Sequence, residues 1–205
     1  MVLQVSEPTY RRYLNDLLFA HIGETRALGS SGRDAAAVSI QNTFAAFGLR
    51  TTTERFTYQD RTCANVSAVW PGKFRPGDYV VIGAHYDSVN DVPGADDDGS
   101  GIAALLEAAR VASQHDFEAS VVFVAFDGEE TRGIGSHGWV IMHPQDHVVS
   151  MLQMDMIAFN PPGPRYNTIA VMTANDSAAQ HRPSRNLCLF GLRANGASKS
   201  TVSPR

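Results

Sequence analysis

The sequence predicts an α/β fold, a mixed β-sheet sandwiched between helices. Two nearly continuous apolar runs, YVVIGA at 79–84 and SVVFVAF at 120–126, suit strands covered on both faces. Segments with helical spacing alternate with such strands, which argues for helices layered on a sheet. Short connections in the first part leave room for antiparallel pairs, so the sheet is expected to be mixed.

The elements follow in order. Residues 8–20 place Tyr10, Tyr13, Leu14, Leu17 and Leu18 at helical spacing, with Pro8 in the first turn. A second helix fits 34–47, with Ala37, Ile40, Phe44 and Phe47 on one side and Gly48 as its stop. Residues 51–58 are rich in β-branched and aromatic residues and read as a strand. So do residues 65–70, which end at the turn Pro71-Gly72. Beyond YVVIGA, residues 99–114 form a helix that buries Ile102, Leu105, Leu106, Ala109 and Val111, with Ser100 as its expected N-cap. Residues 148–156 and 168–172 supply further strands. From about Ala174 the composition shifts to Ser, Arg, Ala and Asn, with no periodicity beyond Leu187 to Leu192. The chain therefore divides into a domain at 1–174 and an irregular tail at 175–205.

With 205 residues, 43% of them hydrophobic, the chain can bury one sizeable core. A net charge of -4 gives no electrostatic case for nucleic acid. Cys63 and Cys188 form neither a disulfide framework nor a thiolate metal spacing, and read as free thiols. No apolar run approaches the ~20 residues that span a bilayer. No secretory leader is visible at the N-terminus, so a cytoplasmic location is the default expectation.

The chemistry gathers at strand ends, where open α/β sheets bind ligands. YVVIGA runs into His85-Tyr86-Asp87, so His85 is placed to bind a ligand and Asp87 to hold its other ring nitrogen. SVVFVAF runs into Asp127-Gly128-Glu129-Glu130, and in a metal site one such glutamate binds while the other moves protons. Asp155 sits between Met154 and Met156, where a carboxylate needs a partner. Each feature alone also has an ordinary reading: a polar loop, a dipole-favoured helix start, a hydrogen-bonded structural Asp. The run PGADDDGSG is harder to dismiss, because three adjacent carboxylates repel unless cations offset them. Mixed His and carboxylate donors suit zinc, and a shared carboxylate suits a metal pair. Calcium in a helix-loop-helix site does not fit, since aligning Gly99 to that loop's glycine leaves Leu105 where a Glu is needed.

Four stretches, GAHYDSV, PGADDDGSGIAALLEAARV, FVAFDGEETRGIGS and MDMIAFN, occur in the order found in the two-zinc aminopeptidases, family twenty-eight of the metallopeptidases. The resemblance covers about residues 25–160 and implies the zinc exopeptidase fold. It implies that His85 and Asp155 bind one zinc, Asp97 bridges both, and Glu130 binds the other. It implies that Glu129 is the general base, taking a proton from the activated water and passing it to the leaving amine, with Asp87 orienting His85. The substrate would be a peptide losing its N-terminal residue. A non-proline cis peptide after Asp97 is also implied.

The family's last ligand, a His far beyond the position of Asp155, has no match here. The only later histidine is His181, in the unmatched setting Gln180-His181-Arg182-Pro183, and the chain ends at Arg205. The expectation is therefore a C-terminally truncated domain lacking its last strands, with the second zinc site incomplete and activity impaired. His137, His143 and His147 are expected on the surface. Two alternatives share the fold: a glutaminyl cyclase-like zinc acyltransferase, and a non-catalytic remnant. Many relatives are exported.

Overall fold

A computed structural model describes residues 2–17, 25–58 and 60–158, with the short strands Ile169–Met172 and Lys199–Val202. The first helix, α1 (Glu7–Arg12), starts behind Ser6, whose hydroxyl accepts the Thr9 N–H, and has Pro8 in its first turn. A π-helical turn, Tyr13–Leu17, continues it. Helix α2 (Ser31–Ala46) begins three residues before the expected Asp34, because Ser30 caps it by accepting the Arg33 N–H at 3.1 Å.

The sheet contains β1 (Arg50–Tyr58), β2 (Arg61–Trp70), β3 (Arg75–His85), β4 (Ala119–Phe126) and β5 (His147–Gln153). Its spatial order is β1-β2-β4-β3-β5. The β1–β2 and β2–β4 pairs are antiparallel, while β3–β4 and β3–β5 are parallel, so the sheet is mixed as expected. Strand β2 starts ahead of the expected Asn65 because its pairing with β1 continues out to Tyr58 and Arg61. Helix α3 (Gly99–Ala112) joins β3 to β4, and α4 (Ile134–Met142) joins β4 to β5.

Strand β4 is buried along its whole length, and its alternation feeds two cores. Val121, Phe123 and Ala125 pack with Ala36, Ile40 and Phe44 of α2 and with Ile102, Leu105, Leu106 and Ala109 of α3. Val122, Val124 and Phe126 pack with Val81 and with Trp139 of α4 on the other face. Helices therefore cover both sides, and the five α3 residues expected in the core, Val111 included, are buried.

The parallel strands set up the functional end of the sheet. His85, the last residue of β3, pairs with Phe126, the last of β4. Gly83 pairs with Gln153, the last residue of β5, so the chain leaves β5 toward this end two residues before Asp155. Strand β5 stops at Gln153, short of the expected Met156, because the following backbone turns away to other acceptors: Met156 N–H donates to Asp98 and Ile157 N–H to Ser100.

The strand expected at 168–172 is present as β6 (Ile169–Met172) and pairs antiparallel with β7 (Lys199–Val202), which lies inside the segment expected to be irregular. The rest of 175–205, with His181 and Cys188, lies outside the described residues. Cys63 is a buried free thiol. No helix among the described residues is long and apolar enough to cross a membrane.

Candidate metal centre

Three segments meet beyond the C-terminal ends of β3, β4 and β5. His85 is fully buried, with Nδ1 3.3 Å from Asp87 Oδ1 and Nε2 3.1 Å from Asp97 Oδ1. Glu129 Oε2 stands 3.9 Å from the same Nε2. Asp87 also accepts the Glu129 and Glu130 N–H groups, at 3.0 and 3.1 Å. One buried carboxylate thus orients the imidazole and fixes the glutamate loop. Gly128 makes that loop possible, since its φ of 67° lies in the left-handed region and a Cβ there would meet the Ile134 side chain at 2.6 Å.

His85, Asp97 and Glu130 each offer a ligand atom, all within 4.8 Å of one another. One imidazole nitrogen and two carboxylates form a donor set suited to zinc. With an acceptor at Nδ1, the ring turns Nε2 toward the carboxylates. The carboxylate of Asp155 falls outside that trio of ligand atoms, although its charge acts on Asp98 and Glu129. Its neighbours in the chain are held on both sides, with the Met154 N–H on Gly83 O at 2.9 Å and the Met156 N–H on Asp98 Oδ1 at 3.3 Å.

The electrostatics are those of a site crowded with negative charge. Burial alone would lower the pKa of His85, but its hydrogen bonds to Asp87 and Asp97 prevail and push it up to about 11. Burial raises Glu129, with Asp155 among the neighbours adding to the rise and His85 opposing it. Glu130 is raised by burial and then by Asp97. Burial also lifts Asp98 well above the usual carboxylate range, with His85 opposing and Asp155 adding. A bound cation would relieve all of these together.

The three aspartates have separate tasks. Asp96 accepts the Ser100 hydroxyl at 2.9 Å and the Ala158 N–H at 2.9 Å. Asp97 faces His85, and the Asp97–Asp98 peptide is cis, as the resemblance implies. Asp98, not Ser100, is the N-cap of α3: its carboxylate accepts the Gly101 N–H at 2.9 Å and the His85 N–H at 3.1 Å. Ser100 is instead engaged sideways, donating to Asp96 and accepting from Ile157.

The other described histidines bond elsewhere. His137 is exposed on α4, and His147 pairs with Asp78 at 2.8 Å. His143 is half-buried rather than on the surface, stacked on Trp139 and bridging Glu54 and Asp146. Two features had no sequence signal: Arg26, buried beneath the aspartate loop, and the Arg33–Asp127 ion pair at 2.7 Å under the glutamate loop.

Known proteins share this architecture. The leupeptin-inactivating enzyme 1 of Streptomyces exfoliatus is 34% identical over 149 residues, covering 70% of this chain and 34% of that protein. The chain thus spans about a third of that relative's length. A zinc aminopeptidase from Bacillus subtilis superposes with a TM-score of 0.75 at 14% identity, covering 84% of this chain and 74% of the other. A glutaminyl cyclase from Porphyromonas gingivalis gives 0.63 at 23% identity, covering 75% and 60%. At these identities the two structures speak for the fold alone. The model of peptidase family M28 matches residues 65–190, which include His85, Asp87, Asp97, Glu129, Glu130 and Asp155, and the chain belongs to that family.

Proposed function

We propose that this chain carries the metal-binding part of a zinc-dependent exopeptidase that removes N-terminal residues from peptides. The observation that carries the reading is the meeting of His85, Asp97 and Glu130 within 4.8 Å, beside a glutamate that is not one of the three. His85, Asp97 and Glu130 would hold zinc, with Asp155 as a further carboxylate donor. When bound, such ions polarise a carbonyl oxygen and acidify water.

The residues divide the remaining work. Asp87 keeps the imidazole oriented, so that Nε2 faces the site. Glu129 is about half exposed, at the mouth of the cluster, where its carboxylate can reach water that enters the site. It takes the proton of the attacking water and delivers it to the departing amine. Its backbone N–H is tied to Asp87, so the base and the imidazole share one anchor.

Zinc titration of the folded chain tests the binding set, and release of p-nitroaniline from an aminoacyl anilide tests the reaction. The same protein is offered an N-terminal glutaminyl peptide. Metal-dependent anilide hydrolysis supports the exopeptidase. Pyroglutamate formation without hydrolysis would replace it with a cyclase. Zinc binding that survives both His85→Ala and Glu130→Ala would sink the ligand assignment.

A further inference from the structure

Arg26 is one of the largest fully buried side chains, with 1% of its surface exposed. A guanidinium rarely lies that deep without a dense set of acceptors. Here it donates to three main-chain carbonyls: Nε to Tyr86 at 2.7 Å, Nη1 to Pro93 at 2.6 Å and Nη2 to Gly94 at 3.0 Å. Its own backbone is engaged too, with its N–H on Ser88 Oγ at 3.0 Å and its carbonyl accepting the Ser88 N–H at 3.3 Å.

The acceptors are not scattered. Tyr86 lies between His85 and Asp87 at the exit of β3. Pro93 and Gly94 open the aspartate loop, and the Gly94 carbonyl also receives the N–H of Gly99, the first residue of α3. A Cβ on Gly94 would stand 2.5 Å from the Asp97 carbonyl and 3.0 Å from Arg26 Nη2, so loop and guanidinium are packed without a gap. Asp87, Asp97 and Asp98 lie close enough for their charges to favour the cation.

We propose that Arg26 is a positioning residue of the metal centre, fastening the exit of β3 to the aspartate loop so that His85 and Asp97 stand at ligand spacing before any ion arrives. This rests on the metal-binding reading of His85, Asp97 and Glu130. The planar fork is what the task requires. Three donors leave it in fixed directions, and a lysine ammonium on a flexible stem does not reproduce that spread. Charge alone is therefore insufficient, and Arg26→Lys behaves like a loss.

The experiment is zinc titration calorimetry on the chain and on Arg26→Lys, Arg26→Met and Ser88→Ala, with thermal melts of the metal-free proteins to establish folding. Visible spectra of the cobalt(II)-loaded forms report ligand geometry without any turnover. Both Arg26 variants are expected to melt cooperatively, bind zinc ~10–100-fold more weakly, and show an altered cobalt spectrum. A folded Arg26→Lys with unchanged affinity and spectrum overturns the positioning role while leaving the metal site intact. An unsubstituted chain that folds but binds no zinc overturns the metal reading, and the proposal with it. If neither Arg26 variant folds, Ser88→Ala decides, because it removes the hydroxyl that receives the Arg26 N–H and ties it to the Val92 carbonyl at the mouth of the aspartate loop. Weakening of roughly fivefold, the worth of one hydrogen bond, supports the proposal, and unchanged affinity overturns it.

Discussion

Replacing Arg33 by Met removes the cation facing a carboxylate with no access to water. Asp127 is fully buried, and its Oδ2 accepts from Arg33 Nη1 at 2.7 Å and from the Ala64 N–H at 2.8 Å. The Arg33 side chain is 7% exposed, so solvent screens little of the pair. Breaking a buried pair from one side leaves an uncompensated charge and costs about 3–5 kcal/mol. A domain of this size loses ~2–4 °C of Tm per kcal/mol, so the drop is ~6–20 °C. Asp127→Asn keeps an oxygen for the Ala64 N–H and is expected to cost less than Arg33→Met. The double variant should recover part of the loss, because the orphaned charge is then gone. Urea melts of the four proteins give the coupling energy. Single losses below about 1 kcal/mol with no coupling would refute the buried-pair reasoning.

Glu129→Gln should lower kcat for anilide hydrolysis by ~10²–10⁴-fold while zinc titration stays unchanged. Glu130→Ala should weaken zinc binding itself, seen as a loss of metal after dialysis. Gly135→Ala should destabilise by about 1–3 kcal/mol in chemical denaturation, since its Cβ would lie 1.9 Å from the Asp127 carbonyl oxygen and force α4 away from β4. Burial first, then Asp127, pushes the Cys63 thiol up to about 11, so peptide mapping after alkylation at pH 8 should show Cys63 protected until the protein unfolds. A thiol raised from an unfolded value near 8.5 stabilises the folded state below that pH, and melts should weaken as pH climbs toward 11.

Much of the fold was legible because its signals are local. Strand β4 and helix α3 advertise themselves by apolar run and periodicity, and both stand where expected. The sequence points to Ser100 as the α3 cap because Asp98 and Ser100 are equally good capping types; only the backbone path shows which side chain reaches the Gly101 N–H. Asp87 was legible as the partner of His85, but not as the acceptor for the Glu129 and Glu130 amides, which belong to a different strand end. Arg26 and the Arg33–Asp127 pair were invisible for a related reason. The first binds carbonyls, which every residue carries, and the second joins residues 94 apart in the chain.

The triple aspartate illustrates how a fold holds like charges together by giving each a different set of donors. The outer two spend their oxygens on donors from several segments: Asp96 on Ser100 and Ala158, Asp98 on His85, Gly101 and Met156. Those bonds tie β3, α3 and the chain after β5 into one frame. Within it, Asp97 is aimed at His85 and stands beside Glu130. Hydrogen bonds to N–H groups favour the carboxylates, but burial has still lifted Asp98 and Glu130. The frame therefore carries a cost, burial first and neighbouring charge second, that its own donors leave partly uncompensated. A divalent cation held by His85, Asp97 and Glu130 would offset it, and that need sets these acids apart from a capping cluster.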